Sequence, residues 1–273
     1  MSLLAAGAYD PAAAGGLVAW QRAGGPGVLR RAEGDSPLPG THPALGAGRI
    51  AWREGGQIVV AEAASLAPAQ RFDAPGAEVL AVGDGLVAWR AHDGETDRLW
   101  VRGLAAESVP VAVVAAAAGD QLGRPVLAGR TLVWHVAGPR GSRILARDLA
   151  GGDDVVLRRE AGAQLTNPAV DGGRLLYVRA SGIRQELRLG PLAPAPPRRD
   201  AVLLVRPSPG QRDREREPGG HPHNRRALPP RARRGVTETL WSTALAGPFA
   251  YVTSQRSRTG RPRTADILEA PAE

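Results

Sequence analysis

The chain has 273 residues, of which 43% are hydrophobic and 4% aromatic, and it contains no cysteine. The absence of cysteine excludes disulfide frameworks, thiolate metal sites and cysteine nucleophiles. The 35 basic residues, all arginine, outnumber the 27 acidic residues and give a formal charge of +8, while 35 glycines and 24 prolines indicate many turns and leave little room for long helices.

One pattern recurs from the N-terminus onwards. Each copy starts with a polar residue and an apolar pair, turns at glycine, and ends in an apolar run with an aromatic residue. The six copies end at Trp20, Trp52, Trp89, Trp134, Tyr177 and Tyr251, and the last is the weakest. Most of their spacings fit a propeller blade of roughly 40 residues. Aromatic residues at equivalent strand ends indicate packing in the core or between blades.

Two further predicted strands complete most copies of the repeat. Residues 57–60 and 98–101 form a second short apolar strand, and residues 111–114 and 201–205 form a closing strand. Near-continuous apolar strands suit small sheets that are buried on both faces. We therefore predict one all-β domain over residues 1–273, a six-bladed propeller with four-stranded blades. A β-sandwich or a solenoid built from the same hairpins is the alternative.

The two ends of the chain bear on ring closure. The last copy stops after its third strand, at residues 265–269, and residues 2–5 precede the first inner strand without a partner of their own. We predict that this N-terminal strand joins the C-terminal blade, because closure removes an exposed sheet edge.

One unit resembles a known family. Residues 165–178 read Leu-Thr-Asn-Pro-Ala-Val-Asp-Gly-Gly-Arg-Leu-Leu-Tyr-Val, followed by Glu-Leu-Arg-Leu at 186–189. This stretch is similar to the repeat of TolB-type β-propellers, whose units join a Pro-Asp-Gly turn to an apolar strand, and the turn aspartate stands here as Asp171 and Asp84. The resemblance implies a six-bladed fold and protein-binding roles, frequently outside the cytoplasm. It transfers no catalytic residue.

Polar residues at the starts of the inner strands are expected to surround the mouth of the central channel. These predicted ligand-binding residues are Asp10, His42, Glu78, Arg124 and Asn167. The same set without the arginine would suit a divalent cation such as calcium in a metal-dependent hydrolase or lactonase, which is the alternative function. Because the arginine would repel a metal and no Gly-x-Ser-x-Gly elbow occurs, we favour a non-enzymatic scaffold without a cofactor.

Residues 206–235 form a second candidate site. Removing these 30 residues would bring the last repeat spacing from 74 to 44 residues, so they are predicted to be an insertion between blades five and six. The segment holds nine arginines against three acidic residues, and its six prolines predict a mobile or polyproline-like loop on the mouth face. The predicted partner-binding residues are Arg212, Arg214, Arg216, Arg225, Arg226 and Arg233.

The partner class follows from these two sites. Arginine forks suit the carboxylates or phosphates of an acidic protein or peptide. Nucleic acid is not expected, because no aromatic residue is interleaved with the arginines of the loop. The sequence shows no signal-peptide pattern and no transmembrane segment, which leaves the compartment open apart from the extracytoplasmic location that the resemblance implies. We expect a monomer that binds its partner over the channel mouth.

Overall fold

The computed structural model describes residues 2–92, 94, 96–139, 141–182, 184–207, 236–258 and 264–272. Six antiparallel sheets make up this part of the chain, and the one helical element in it is the 3-10 turn Pro197–Arg199. In five of the six sheets the strands run in sequence order from an inner strand to an outer one, and in the sixth the N-terminal strand is the outer strand. The predicted all-β propeller with six blades is confirmed.

The N-terminal strand and the first three blades have regular hairpin order. Their strands are β1 (Ser2–Ala6), β2 (Ala8–Ala14), β3 (Leu17–Arg22), β4 (Gly27–Arg31), β5 (Gly34–Pro37), β6 (Thr41–Gly46), β7 (Arg49–Glu54), β8 (Gln57–Glu62), β9 (Pro68–Asp73), β10 (Ala77–Val82), β11 (Leu86–His92), β12 (Asp97–Gly103) and β13 (Val111–Ala115). Strands β2 to β5 form blade one, β6 to β9 blade two and β10 to β13 blade three.

Blade four differs because its inner strand is broken into two short pieces, both of which pair with the next strand. The strands of blades four to six are β14 (Gln121–Leu122), β15 (Val126–Ala128), β16 (Thr131–Gly138), β17 (Gly141–Asp148), β18 (Val155–Glu160), β19 (Gln164–Asp171), β20 (Arg174–Ser181), β21 (Arg184–Pro191), β22 (Ala201–Pro207), β23 (Val236–Ala246), β24 (Phe249–Arg258) and β25 (Thr264–Pro271). Strands β14 to β18 form blade four, β19 to β22 blade five and β23 to β25 blade six.

The ring is closed by the N-terminus. Strand β1 pairs antiparallel with β25, from Ser2 opposite Glu269 to Ala6 opposite Asp266, and so supplies the outer strand of blade six. The inner strand β2 contacts both β6 and β23, which completes the circuit of blades. The sequence prediction of closure is confirmed.

The core consists of six hydrophobic clusters, one at each junction between neighbouring blades. Trp52 of blade two, 1% exposed, packs against Ala19 and Leu29 of blade one. Trp89 packs in the same way on blade two and Trp134 on blade three. The predicted role of these repeat aromatics in interblade packing is therefore confirmed. Burial of a large apolar side chain stabilises the fold by about 1.5–3 kcal/mol.

The sixth repeat aromatic, Tyr251, is also buried between blades, but its predicted equivalence to the other five aromatic positions is wrong by one residue. Tyr251 pairs with Ala244, a register position that Ala51 holds in blade two, and Val252 takes the position of the aromatic residue. A shift of one residue turns a side chain to the other face of its sheet. Tyr251 therefore packs against Trp20 of blade one.

A buried ion pair joins blades four and five. Arg158 on β18 and Asp200, which precedes β22, have fully buried side chains and form a two-point pair of 2.7 Å (Nε–Oδ2) and 3.0 Å (Nη2–Oδ1). The guanidinium also donates to the carbonyl of Pro191 at 2.8 Å, and the Tyr177 hydroxyl donates to Asp200 Oδ2 at 2.7 Å. This pair is well satisfied, as a buried charge requires.

Candidate functional site

A cavity of about 650 Å³ opens at the channel mouth, the end of the ring where the inner strands begin. Blades one and three to six all contribute side chains to its lining, among them Asp10, Glu78, Arg124, Asn167 and Ser242. Four of the five predicted ligand-binding residues thus meet in one cavity. The fifth, His42, lines a smaller adjoining space together with Asp10 and Arg124.

Three of these residues have an unusual backbone. Asp10, His42 and Asn167 have φ values of 52°, 54° and 53°, each at a register shift in the inner strand. Aspartate, histidine and asparagine are the residue types other than glycine that best tolerate this left-handed region. Their recurrence at equivalent positions therefore has a conformational cause, whatever they bind.

In blades one, two, five and six, a side chain of the preceding blade accepts a hydrogen bond from the backbone at or beside the register shift. The amide of His42 donates to Gln21 Oε1 at 3.0 Å, and the amide of Asn167 donates to His135 Nδ1 at 3.2 Å. Equivalent bonds run from Asp10 to Ser242 Oγ at 3.2 Å and from Leu240 to Gln185 Oε1 at 2.8 Å. We call these bonds the blade latches. They fix the mouth residues relative to one another across blade boundaries.

Sequence reasoning missed the four latch acceptors. Gln21 and His135 directly follow the repeat aromatics Trp20 and Trp134, so a polar residue at that place in the repeat was the available signal. The partners of Gln185 and Ser242 lie in other blades, and no local pattern marks them.

His135 is the most constrained of these acceptors. Burial, followed by the positive charge of Arg90, lowers the pKa of His135 to about 4. Because Nδ1 accepts the Asn167 amide proton, the neutral ring carries its own proton on Nε2. Gly123 lies against the ring so closely that a Cβ there would come within 1.7 Å of His135 Cε1.

Arg124 crosses the channel. It rises from the break in the inner strand of blade four, and its Nη1 lies 3.4 Å from the carbonyl oxygen of Pro11 and its Nη2 3.5 Å from that of Pro43, in blades one and two. Burial lowers the pKa of Arg124, whereas Asp10 acts in the opposite direction. Below the guanidinium the channel narrows to a small space of about 60 Å³ with apolar residues such as Leu45 and Leu80 in its wall.

The other charges near the mouth are mostly paired. Glu78 forms a salt bridge with Arg90, whose Nη1 also donates to the carbonyl of Leu122 at 2.7 Å. Burial lowers the pKa of His42, opposed by Asp10 and assisted by Arg53 and Arg124. Among the described residues, no group of three histidine, aspartate or glutamate side chains is arranged to hold a metal ion.

Two arginines on the rim above the cavity are paired with carboxylates. Arg90 is neutralised by Glu78, and Arg179 contacts both Glu160 and Glu186. Glu160 has a lowered pKa because it accepts hydrogen bonds from Arg179. Neighbouring carboxylates therefore offset the positive charge of these two arginines.

The six predicted partner-binding arginines of the insertion lie outside the described residues. The described chain on either side ends at Pro207, which pairs with Arg184, and resumes at Val236, which pairs with Arg258. Both points lie at the mouth end of the blades. No helix in the described part of the chain is long and apolar enough to cross a membrane.

Comparison with solved structures finds proteins that are similar to this chain in fold. TolB from Acinetobacter baumannii superposes with a TM-score of 0.54 at 12% identity, over 90% of this chain and 60% of TolB. An acylaminoacyl peptidase from Pyrococcus horikoshii gives 0.54 at 11% identity, over 95% of this chain and 45% of the peptidase. The chain thus resembles TolB-type propellers in fold, and it spans less than two thirds of the length of either protein.

A third structure differs in its closure. The β-propeller domain of the Trilobed protease from Pyrococcus furiosus has a TM-score of 0.53 at 14% identity, over 95% of this chain and 84% of that domain, and it has an open velcro topology. Here β1 pairs with β25, so the ring is closed. No protein-family model and no curated protein sequence matches the chain.

Proposed function

We propose that this chain is a non-enzymatic propeller scaffold that binds a protein or peptide partner over the channel mouth. The observation that supports this most directly is the 650 Å³ mouth cavity, to which five of the six blades contribute. Its volume lies in the range of sites that enclose a small ligand or a short chain segment. The blade latches hold its walls in place, so that little ordering is required when a partner binds.

The chemistry of the lining suits a peptide. Amide side chains of Gln121, Gln164, Asn167 and Gln185 face the cavity, and each amide group combines a donor with an acceptor. Peptide backbone presents the same two groups at every residue. Hydrogen bonding of this kind favours an extended segment over a purely apolar ligand.

Substitutions at the mouth test this proposal. We expect Gln164→Arg, at an exposed position of the lining, to block recovery of the partner in pull-downs from cytoplasmic and extracytoplasmic fractions of the source organism. Ala150→Arg, on an exposed turn at the opposite end of blade four, is the matched control. Equal recovery by the wild type and both variants would remove the mouth as the binding face.

Two further experiments test the role of the insertion and the hydrolase alternative separately. A variant lacking residues 208–235 is expected to recover less partner, since the arginines of the insertion offer contacts to an acidic surface; unchanged recovery would show that the insertion is passive. Stoichiometric calcium or zinc in the purified protein would favour the hydrolase alternative instead, although the Arg124 charge among the candidate ligands opposes a cation.

A further inference from the structure

We propose that Arg124 is the carboxylate anchor of the mouth cavity, the group that receives a carboxylate of the partner, either a chain terminus or an aspartate or glutamate side chain. This inference rests on the proposed peptide-binding function and gives it a chemical class of ligand. Three observations carry it: the incomplete bonding of Arg124, its position in the cavity, and the pairing of the charges around it.

The guanidinium of Arg124 is poorly satisfied by the protein itself. Its two hydrogen bonds, to Pro11 and Pro43, measure 3.4 and 3.5 Å, whereas ordinary N–H···O bonds cluster near 2.9–3.0 Å. No carboxylate of the described residues lies within 4.0 Å of it. Arginine has five donors in a planar fork, so most of its capacity remains for a ligand.

Arg158 shows what a structural arginine looks like in the same protein. It is fully buried, forms a two-point pair with Asp200, and donates to backbone carbonyls at normal distances. A buried cation without such partners is costly. The contrast indicates that Arg124 is kept for a contact that the chain alone does not provide.

Arg124 is also within reach of a ligand. It lines the mouth cavity from below and keeps part of its surface accessible there, although protein surrounds it on every side. Such enclosure weakens solvent screening and strengthens a charge-assisted hydrogen bond. The lowered pKa of Arg124 has the same origin, because the enclosed cation has lost hydration that an anion would replace.

The neighbouring charges leave Arg124 available. Glu78 is paired with Arg90, and Asp97 accepts hydrogen bonds from His92 and from the amide of Leu122. Asp10 is the carboxylate whose charge acts on Arg124, at a distance beyond a salt bridge. Asp10 therefore opposes an incoming carboxylate, while peptide N–H groups of the same ligand could donate to it. Removal of the Asp10 charge should therefore strengthen the binding of a carboxylate, which a substitution can test.

Three probe peptides test the anchor: an acetylated glycine-serine peptide with a free C-terminal carboxylate, the same peptide amidated, and the amidated peptide with one internal glutamate. Binding to the full chain is measured by titration calorimetry. We expect at least one of the two carboxylate peptides to bind roughly tenfold or more tightly than the amidated one. Which of them does so identifies the source of the carboxylate.

Substitutions test whether the preference for carboxylate depends on Arg124. Arg124→Gln should abolish the preference for carboxylate, Arg124→Lys should retain part of it because the charge stays but the fork is lost, and Asp10→Asn should strengthen it. Asparagine tolerates the left-handed backbone of position 10, and circular dichroism confirms that each variant is folded. A preference that survives in Arg124→Gln overturns the anchor.

The failures are distinguishable. Equal binding of all three peptides would overturn the anchor and leave peptide binding at the mouth intact. Absence of binding by all three would count against both the anchor and the proposed function.

Discussion

At the scale of single residues, the mouth contains two kinds of polar side chain. Asp10, His42 and Asn167 occupy left-handed positions, and their residue types follow from that backbone. Arg124 has no such conformational reason, yet it extends across the channel with weak contacts to two other blades. In the function that we propose, binding at the mouth therefore depends on the arginine more than on the residues beside it.

The buried pair of Arg158 and Asp200 is the residue-scale feature with the clearest consequence for stability. We expect Asp200→Ala to lower the free energy of unfolding by about 3–5 kcal/mol, because Arg158 would remain as an uncompensated buried charge and the Tyr177 hydroxyl would lose its acceptor. Urea unfolding followed by circular dichroism measures the change.

The matched control for this substitution is Asp154→Ala. Asp154 pairs with Arg147 at 2.7 Å on the surface, with side chains 38% and 28% exposed, and such pairs contribute less than about 1 kcal/mol. If the two variants lost equal stability, the interpretation of the Asp200 network as a buried clamp between blades would be wrong.

At the scale of strands, the blade latches provide different side-chain acceptors for backbone amides at the register shifts. A register shift in an inner strand leaves an amide without its ladder partner, and burial of an unpaired amide is costly. Blade one supplies Gln21 as the acceptor and blade four supplies His135. Glutamine keeps its acceptor at every pH, whereas a histidine nitrogen loses it on protonation.

This difference predicts a pH dependence of stability. The pKa of His135 is about 4 in the folded chain and near 6.5 when unfolded, so the unfolded state binds more protons between these values. Stability is therefore complete above the unfolded value and declines as the pH falls towards 4. At about pH 4.5 the loss from this group is on the order of 2 kcal/mol.

The variant His135→Gln isolates that effect, because it places the acceptor of blade one in blade four and removes the titrating ring. We expect the wild type to lose more stability than this variant when unfolding is compared at about pH 7.5 and about pH 4.5. His42, whose pKa is also lowered, is present in both and cancels from the comparison. Parallel pH profiles would show that His135 does not titrate as described.

Sequence alone predicted most strands because each is a short apolar run bounded by glycine turns, and such a signal is local. It failed at Tyr251, because this aromatic residue lies one position before the strand-end aromatic position of the other repeats, and the sequence of the weakest repeat does not reveal the register. It identified the residues of the mouth from their place in the repeat. The four latch acceptors escaped it because their bonds cross blade boundaries.

At the scale of the whole molecule, the fold depends on the junction between its two ends. Every other blade is a run of hairpins, whereas blade six contains three C-terminal strands and β1. Closing it joins residues at opposite ends of the chain, and without that junction β25 would present a free edge for pairing with another molecule. The mouth cavity shares this dependence, because Asp10 follows β1 and is latched to Ser242 of blade six.

Adjacent residues of β1 allow a controlled test of closure. The Leu4 side chain packs against the cluster between blades six and one, whereas Leu3 is 60% exposed. We expect Leu4→Asp to lower the free energy of unfolding by about 2 kcal/mol and to produce self-association in size-exclusion chromatography, because an inward charge detaches the strand and frees the edge of β25. Leu3→Asp, with the same chemistry on the outward face, should change stability by less than about 0.5 kcal/mol and remain a single species. If Leu4→Asp lost as little stability as Leu3→Asp and also remained a single species, β1 would add no stability to the ring. The closed propeller would then be held by its interblade clusters alone.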